Sequence, residues 1–142
     1  MSEVAAIQHE SLYPMEIIEK LGNTKQYSLF KDIGLKPELI NNKTALIRNI
    51  DLNYVDDATG LTNLQLMQRE NAPFDSMGNR YELHHIGQRN DSPLAILTRT
   101  EHDNSFLHTL TENFDNPSSQ NSWQTIKSNF WKSYAKWAER SV

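Results

Sequence analysis

A strand-like run that carries Glu82, His84 and His85 constrains the fold of this chain more than any other feature. Two further histidines, His102 and His108, follow within a single supersecondary unit, so four of the five histidines fall within 25 residues. The chain has no cysteine, and a transition metal would therefore have to be held by imidazole or carboxylate groups. We predict that this cluster forms a site that combines a metal ion with a proton acceptor.

Hydrophobic periodicity and turn-forming residues divide the rest of the chain into short elements. Apolar residues at helical spacing predict helices, and short apolar runs between turn residues predict strands. The predicted helices cover residues 13–21, 25–33 and 62–70, one helix carries His102 and His108, and the last begins near Ser122; the predicted strands cover residues 44–48, 80–86 and 93–98. The last two strands form a hairpin, because the apolar run at 93–98 is too short for a buried helix. The polar cluster at 56–60 is predicted to be a turn.

The order of a strand with paired histidines, a loop, a second strand and a histidine-bearing helix is that of a ββα-metal unit. On these residues the chain resembles the LHH group of the HNH/endonuclease VII nucleases, which is named for the triplet at 83–85. The resemblance begins at about residue 44 and includes residues 50–56, 59–63, 83–88, 93–94 and 101–102. It implies an α+β fold, mostly helical, around a ββα-metal core: a nuclease domain at 44–142, preceded by a helical lead-in at 1–43 that can belong to the same domain. Residues 82–85 also look like the active-site strand of the colicin DNases.

The resemblance implies a role for each residue of the histidine cluster. His84 would be a metal ligand, His85 the general base that activates water, and Glu82 an acidic residue that supports catalysis. His102 and His108 would complete three imidazole ligands and leave a position open for phosphate or water, as a catalytic metal requires. Three imidazoles favour Zn²⁺ as the divalent metal, and the family is also compatible with Mg²⁺ or Ni²⁺.

The alternation of side chains along a strand conflicts with a simple version of this site. Glu82 and His84 share one face of the strand, whereas Leu83 and His85 share the other. Both histidines can reach one phosphate only if the strand ends or bends at this point. Gly87 would permit such a bend, because glycine adopts backbone conformations that other residues avoid.

The spacing of the two downstream histidines raises a second difficulty. His102 and His108 are six residues apart, which places them about 120° apart around an unbroken helix. We therefore expect His102 to lie before or at the start of the helix, with Asp103 or Asn104 as the cap, so that His108 alone projects from the regular helix. A capping box at 98–101 competes with this arrangement, because it would start the helix earlier.

Residues that flank the histidine hairpin are candidates for contacts with the substrate. Arg89 and Arg99 are predicted to contact phosphate groups. Pro93 stands where related enzymes usually have the asparagine that orients the base. Asn90 or Gln88 could take its place, and the sequence does not decide between them.

The last predicted helix has two distinct faces. Five apolar residues follow helical spacing and predict core packing: Trp123, Ile126, Phe130, Tyr134 and Trp137. Three basic residues recur every four positions on another face: Lys132, Lys136 and Arg140. This basic ladder could follow a nucleic-acid backbone, or it could be an ordinary solvated face.

The activity implied by the resemblance is that of a metal-dependent endonuclease that hydrolyses phosphodiester bonds, with DNA as the expected substrate. Members of the group are similar to the toxin modules of bacterial polymorphic toxins. We therefore expect a toxin that acts in the cytoplasm of a recipient bacterium and is neutralised by a cognate immunity protein. The alternatives are an RNase toxin on the same scaffold and a non-catalytic, metal-stabilised nucleic-acid-binding module.

Composition and charge restrict the other classes of protein. The net charge of −4 argues against a nonspecific coat for nucleic acid, although a local basic stripe can still bind phosphate. No apolar run approaches the roughly 18 residues that span a bilayer. The first residues lack the basic and apolar regions of a signal peptide, so we expect secretion or delivery by another route.

Overall fold

The computed structural model describes residue 17 and residues 24–86, 93–103 and 120–140, and it has an α+β fold. The described helices are α1 (Thr24–Asp32), α2 (Asn63–Gln68), α3 (Arg99–His102) and α4 (Gln120–Arg140), and the strands are β1 (Lys36–Ile40), β2 (Lys43–Ile47), β3 (Glu82–His85) and β4 (Leu94–Leu97). The predicted strands at 44–48, 80–86 and 93–98 and the predicted helices at 25–33, 62–70 and near Ser122 are therefore confirmed. Of the predicted helix at 13–21, Ile17 alone is described, and it is helical and buried.

The four strands form one mixed sheet in the order β1-β2-β4-β3. β3 and β4 are antiparallel, as the hairpin prediction requires, with His84 opposite Ala95 and His85 opposite Leu94. β2 and β4 are parallel neighbours. Among the described strands, β3 therefore lies at one edge of the sheet, and its last residue is His85.

β1 was not predicted, and it contains a proline, Pro37, at its second position. Proline cannot donate a ladder hydrogen bond and is tolerated mainly on edge strands, and β1 lies at the other edge of the described sheet. A two-residue turn joins β1 to β2, with φ of 55° at Asn41 and 63° at Asn42. Positive φ at both central residues is the geometry of the type I′ hairpin turn, in which asparagine is favoured.

The sheet has two buried faces, which we name after the histidine of β3 that each carries. On the His84 face, α1 packs over the sheet through a cluster of buried residues: Ile17, Phe30, Leu35, Leu46, Ile86, Ala95 and Leu97. On the His85 face, α2 and α4 pack over the sheet through a second cluster, which includes Met67, Leu83, Leu94, Ile96, Phe130, Trp131 and Tyr134. The apolar stripe of α4 is therefore core packing, as predicted.

Asn63 fixes the loops that lead into β3. Its side chain is fully buried and donates to the carbonyl oxygens of Asp51 at 2.8 Å and Phe74 at 2.9 Å, while its amide oxygen accepts from the Phe74 N–H at 2.8 Å. Thr62 caps α2 in a reciprocal capping box with Gln65. The motif at 59–63 therefore has a structural role, because the buried amide of Asn63 supplies hydrogen-bond partners to main-chain groups in two separate loops.

Two further expectations concern the turn at 56–60 and the membrane. The turn is present, and the Asp56 side chain accepts from the Ala58 N–H and from the Thr59 hydroxyl. Hydrogen bonding from Thr59 in particular lowers the pKa of Asp56. Within the described ranges, none of the helices is both long enough and apolar enough to cross a bilayer.

Candidate active site

Glu82, His84 and His102 come together on the His84 face. The Nδ1–H of His102 donates to Oε1 of Glu82 at 2.7 Å, and the centroids of the His84 and His102 rings are 5.2 Å apart in an edge-to-face arrangement. His84 is buried, with 2% of its surface exposed, whereas His102 and Glu82 are partly open to solvent. The sequence prediction that His84 and His102 share a site is therefore consistent with their positions, while their roles stay predictions.

His102 lies on α3, which begins with the capping box at 98–101 that the sequence analysis gave as the competing arrangement. The Thr98 hydroxyl accepts from the Glu101 N–H, and the Glu101 carboxylate accepts from the Thr98 N–H. His102 is the last residue of this single turn, and Asp103 is its C-cap. The competing capping box is therefore present and starts α3 at Arg99. The expectation that His102 precedes or starts the helix that carries His108 stays a prediction, because His108 lies outside the described residues.

An ion pair ties α3 to the sheet. Arg48 Nη1 lies 2.7 Å from Oε1 of Glu101, and both side chains are largely buried. The Arg48 guanidinium also stacks over the Tyr81 ring at 5.3 Å, and the Tyr134 hydroxyl donates to the Arg48 carbonyl oxygen at 2.8 Å. Burial raises the pKa of Tyr134 to about 12. This chain of contacts holds α3, and with it His102, against β3.

His85 faces the other way. Its ring lies against Trp123 of α4, with ring centroids 4.4 Å apart, and its Nε2 atom is buried. Lys127, one helical turn after Trp123, places its Nζ over the same indole at 5.2 Å. β3 ends at His85, as the predicted site requires, yet the His84 and His85 rings lie on opposite faces of the sheet.

The described residues bring two imidazoles and one carboxylate together, those of His84, His102 and Glu82. Among all the residues that the structure describes, no three histidine, aspartate or glutamate side chains are arranged to hold a metal ion, and His108 lies outside the described residues. The separation of the His84 and His102 rings nevertheless suits two imidazoles that bind one ion at about 2.0–2.1 Å. A carboxylate behind Nδ1 of a histidine, as Glu82 lies behind His102, is the usual support of a metal-binding imidazole. The pair therefore fits a divalent metal.

The predicted nucleic-acid contacts are dispersed. Arg99 is exposed on the first turn of α3, and Arg89 lies outside the described residues. The basic ladder of Lys132, Lys136 and Arg140 is exposed on α4, where Lys132 Nζ lies 3.9 Å from Glu70 Oε1. The ladder therefore borders α2 rather than the histidines.

The sequence did not predict the contact of Trp123 with His85 or the position of Lys127 over the Trp123 ring. Trp123 was assigned to the core alone, and Lys127 was not considered. Their spacing of four residues on one helix was a usable indication, because residues at i and i+4 are neighbours on a helix surface. What the sequence did not show is that Trp123 lies against His85.

The α+β fold, with a histidine hairpin followed by a short helix that carries a further histidine, is consistent with a nuclease domain of the HNH type. The LHH family model, described as "a nuclease of the HNH/ENDO VII superfamily with conserved LHH", matches residues 62–137, which is more than half of the chain. The chain belongs to this family. No solved structure was found to match it.

Proposed function

We propose that this protein is a metal-dependent endonuclease that hydrolyses phosphodiester bonds in DNA. Membership of the LHH family supports nuclease activity, and nucleases of this superfamily typically use a divalent metal. The observation that carries the proposal is the pairing of His84 with His102, because two imidazoles 5.2 Å apart, one of them supported by a carboxylate, fit a catalytic metal better than a structural role.

His84 and His102 would hold the metal, with His108 as the predicted third ligand. When bound, a divalent metal stabilises negative charge on the phosphate and on the leaving oxygen. Because Glu82 accepts from Nδ1–H of His102, it selects the tautomer in which Nε2 is the donor atom for a metal. Glu82 is thus a positioning residue that acts through His102, a narrower role than the support of catalysis that the resemblance implied.

His85 is proposed as the general base, on the strength of the family resemblance. It would accept a proton from the attacking water as the new P–O bond forms and the bond to the leaving oxygen breaks. His85 is partly exposed at the end of β3, which supports this role, because a general base must be within reach of the attacking water. Arg99 and Arg89 are proposed to contact flanking phosphates, and the ladder on α4 a more distant part of the backbone.

The proposed setting is bacterial competition. The protein would be delivered to a recipient bacterium, act in its cytoplasm and be held inactive in the producer by a cognate immunity protein. The resemblance to toxin modules supports this setting. A test is the growth of a bacterial host that expresses the chain: we expect growth arrest with DNA damage, and unimpaired growth with the His85→Ala variant. Equal growth with both would contradict the toxin proposal.

The activity is tested by incubating the purified chain with plasmid DNA and, separately, with total RNA, each with Zn²⁺, Mg²⁺ or Ni²⁺ and with or without a chelator. We expect DNA cleavage that the chelator abolishes. Loss of a positioned base typically costs about 10²–10⁴-fold in rate, so His85→Ala is the matched inactive control. Cleavage of RNA alone would make the protein an RNase, and intact DNA and RNA under every condition would leave a non-catalytic binding module.

A further inference from the structure

A pocket of about 410 Å³ opens on the His85 face, between α4 and the end of the sheet where the β1–β2 turn, the start of β4 and the end of β3 meet. His85 forms part of its wall. The floor is apolar, because Ile40, Leu94 and Phe130 line the pocket and are buried. This volume lies in the range of about 300–1,000 Å³ that is usual for small-molecule sites.

The rim of the pocket is polar and cationic. Three amide side chains contribute to it, those of Asn41, Asn42 and Asn129, together with the ammonium group of Lys43. All four residues are exposed. An amide carries both donors and an acceptor, which is the combination that pairs with the edge of a nucleobase, while an ammonium group binds phosphate oxygens.

The β1–β2 turn fixes the backbone of three of these residues, Asn41, Asn42 and Lys43, before any ligand arrives. Ile40 pairs with Lys43 across the turn, and positive φ at Asn41 and Asn42 gives the tight type I′ geometry. A short turn of fixed register has few alternative conformations. The backbone cost of ordering this part of the rim on binding is therefore small, which favours affinity.

We propose that this pocket holds one nucleotide of the nucleic-acid substrate. The base lies over the apolar floor with its edge against the asparagine amides, Lys43 contacts the phosphate of that nucleotide, and His85 borders it. The inference rests on the proposed function, because it takes the occupant to be the nuclease substrate. It assigns substrate binding to the His85 face, whereas the metal-binding pair lies on the His84 face.

The experiment measures nucleotide binding to the full chain in the presence of a chelator, so that turnover does not interfere. The probes are the four deoxynucleoside 5′-monophosphates, the four deoxynucleosides and inorganic phosphate. Their binding is measured by equilibrium dialysis and by changes in the NMR signals of the asparagine side-chain amides. We expect the monophosphates to bind more tightly than the nucleosides or phosphate. Asn129→Trp, which fills the mouth of the pocket, should abolish binding, and Lys43→Gln should weaken it by about tenfold, as expected for loss of one charge-assisted contact.

Each variant has a matched control on the same element. Gln124→Trp places the same bulk at an exposed position of α4, and Lys36→Gln removes the same charge at the opposite end of the β1–β2 hairpin; neither residue lines the pocket. Both controls should bind the monophosphates as the unmodified protein does. With a short oligonucleotide substrate, Asn129→Trp should raise KM and leave kcat unchanged, because the pocket contributes binding rather than chemistry.

The outcomes separate this inference from the proposed function. If DNA is cleaved but the monophosphates do not bind, the pocket is not a nucleotide site and the nuclease proposal stands. The same conclusion follows if Asn129→Trp binds the monophosphates and cleaves DNA as Gln124→Trp does. If inorganic phosphate binds as tightly as the monophosphates, the base contributes nothing and the inference is overturned. If the monophosphates bind and Asn129→Trp abolishes binding, but neither DNA nor RNA is cleaved, the pocket stands and the nuclease proposal fails.

Discussion

The two faces of the sheet differ in what holds their histidines. On the His84 face, polar contacts fix the site: the hydrogen bond from His102 to Glu82 at 2.7 Å, and the ion pair of Arg48 with Glu101 at 2.7 Å that anchors α3. On the His85 face, aromatic packing against Trp123 and an open pocket surround the ring. Adjacent residues of one strand have thus acquired different surroundings, because a strand turns successive side chains to opposite faces.

The largest expected effect tests whether the faces have separate roles. His84→Ala and His102→Ala should each lose tight Zn²⁺ binding, because removal of one imidazole leaves too few ligands for a stable site. His85→Ala should bind Zn²⁺ as the unmodified protein does, yet lose cleavage. Isothermal titration with Zn²⁺, alongside plasmid cleavage, measures both properties. A loss of Zn²⁺ affinity in His85→Ala equal to that in His84→Ala would show that both histidines bind the metal.

Glu82 provides a graded test of the His84 face. Removal of a carboxylate that supports a metal-binding histidine typically costs about 10–100-fold in metal affinity, and we expect this loss for Glu82→Ala. Glu82→Gln should lose less, because its amide oxygen can still accept from His102. Glu38→Ala, an exposed carboxylate on β1, is the control and should bind Zn²⁺ normally. Unchanged affinity in Glu82→Ala would mean that the hydrogen bond to His102 has no part in metal binding.

Trp123 provides the corresponding test of the His85 face. An aromatic pair contributes about 0.5–1.5 kcal/mol beyond its buried area, so Trp123→Leu should lower the cleavage rate by up to about tenfold and leave Zn²⁺ affinity unchanged. Trp137→Leu is the control, because Trp137 packs partly buried against the same core cluster at the other end of α4. Both variants should lose similar thermal stability. A similar loss of cleavage in the two would show that Trp123 acts through stability rather than through His85.

Local sequence patterns predicted much of the fold, and non-local contacts explain what they missed. The β3–β4 hairpin and α4 were predictable because a short apolar run between turn residues and helical periodicity are both properties of neighbouring residues. β1 was missed because the tolerance of Pro37 depends on the edge position of that strand. The parallel pairing of Leu46 with Ala95 joins segments far apart in sequence and leaves no local pattern.

In the candidate site, too, local sequence patterns predicted some features, and contacts between distant residues determine the others. Opposite faces for His84 and His85 followed from strand alternation alone, and the structure has them so. The contact of His102 with Glu82 could not be read from spacing, because it depends on where α3 starts and how Arg48 holds it. The position of Trp123 beside His85 depends on the packing of α4 over the sheet, and the sequence predicted which side of α4 is buried but not which strand residue it meets.

The smallest expected effect concerns the connection between the faces. Tyr134 belongs to the core cluster of the His85 face, yet its hydroxyl donates to the carbonyl of Arg48, whose guanidinium holds α3 on the His84 face. Tyr134→Phe removes one hydrogen bond and should lower the free energy of unfolding by about 1 kcal/mol near neutral pH. Cleavage and Zn²⁺ affinity should change little, since the ion pair of Arg48 with Glu101 remains.

The pH dependence of this variant has a definite sign. Because burial raises the pKa of Tyr134 to about 12 from its ordinary value of 10.0, the fold favours the neutral phenol, and its stabilising effect is complete below pH 10 and lost as the pH rises through about 12. The stability advantage of the unmodified protein over Tyr134→Phe should therefore shrink and then reverse above pH 10. Urea unfolding of both proteins at pH 8, 10 and 11.5 measures it. A difference that stays constant over this range would mean that the hydroxyl is accessible enough to ionise in the folded protein, and that the link between the two faces is open to water.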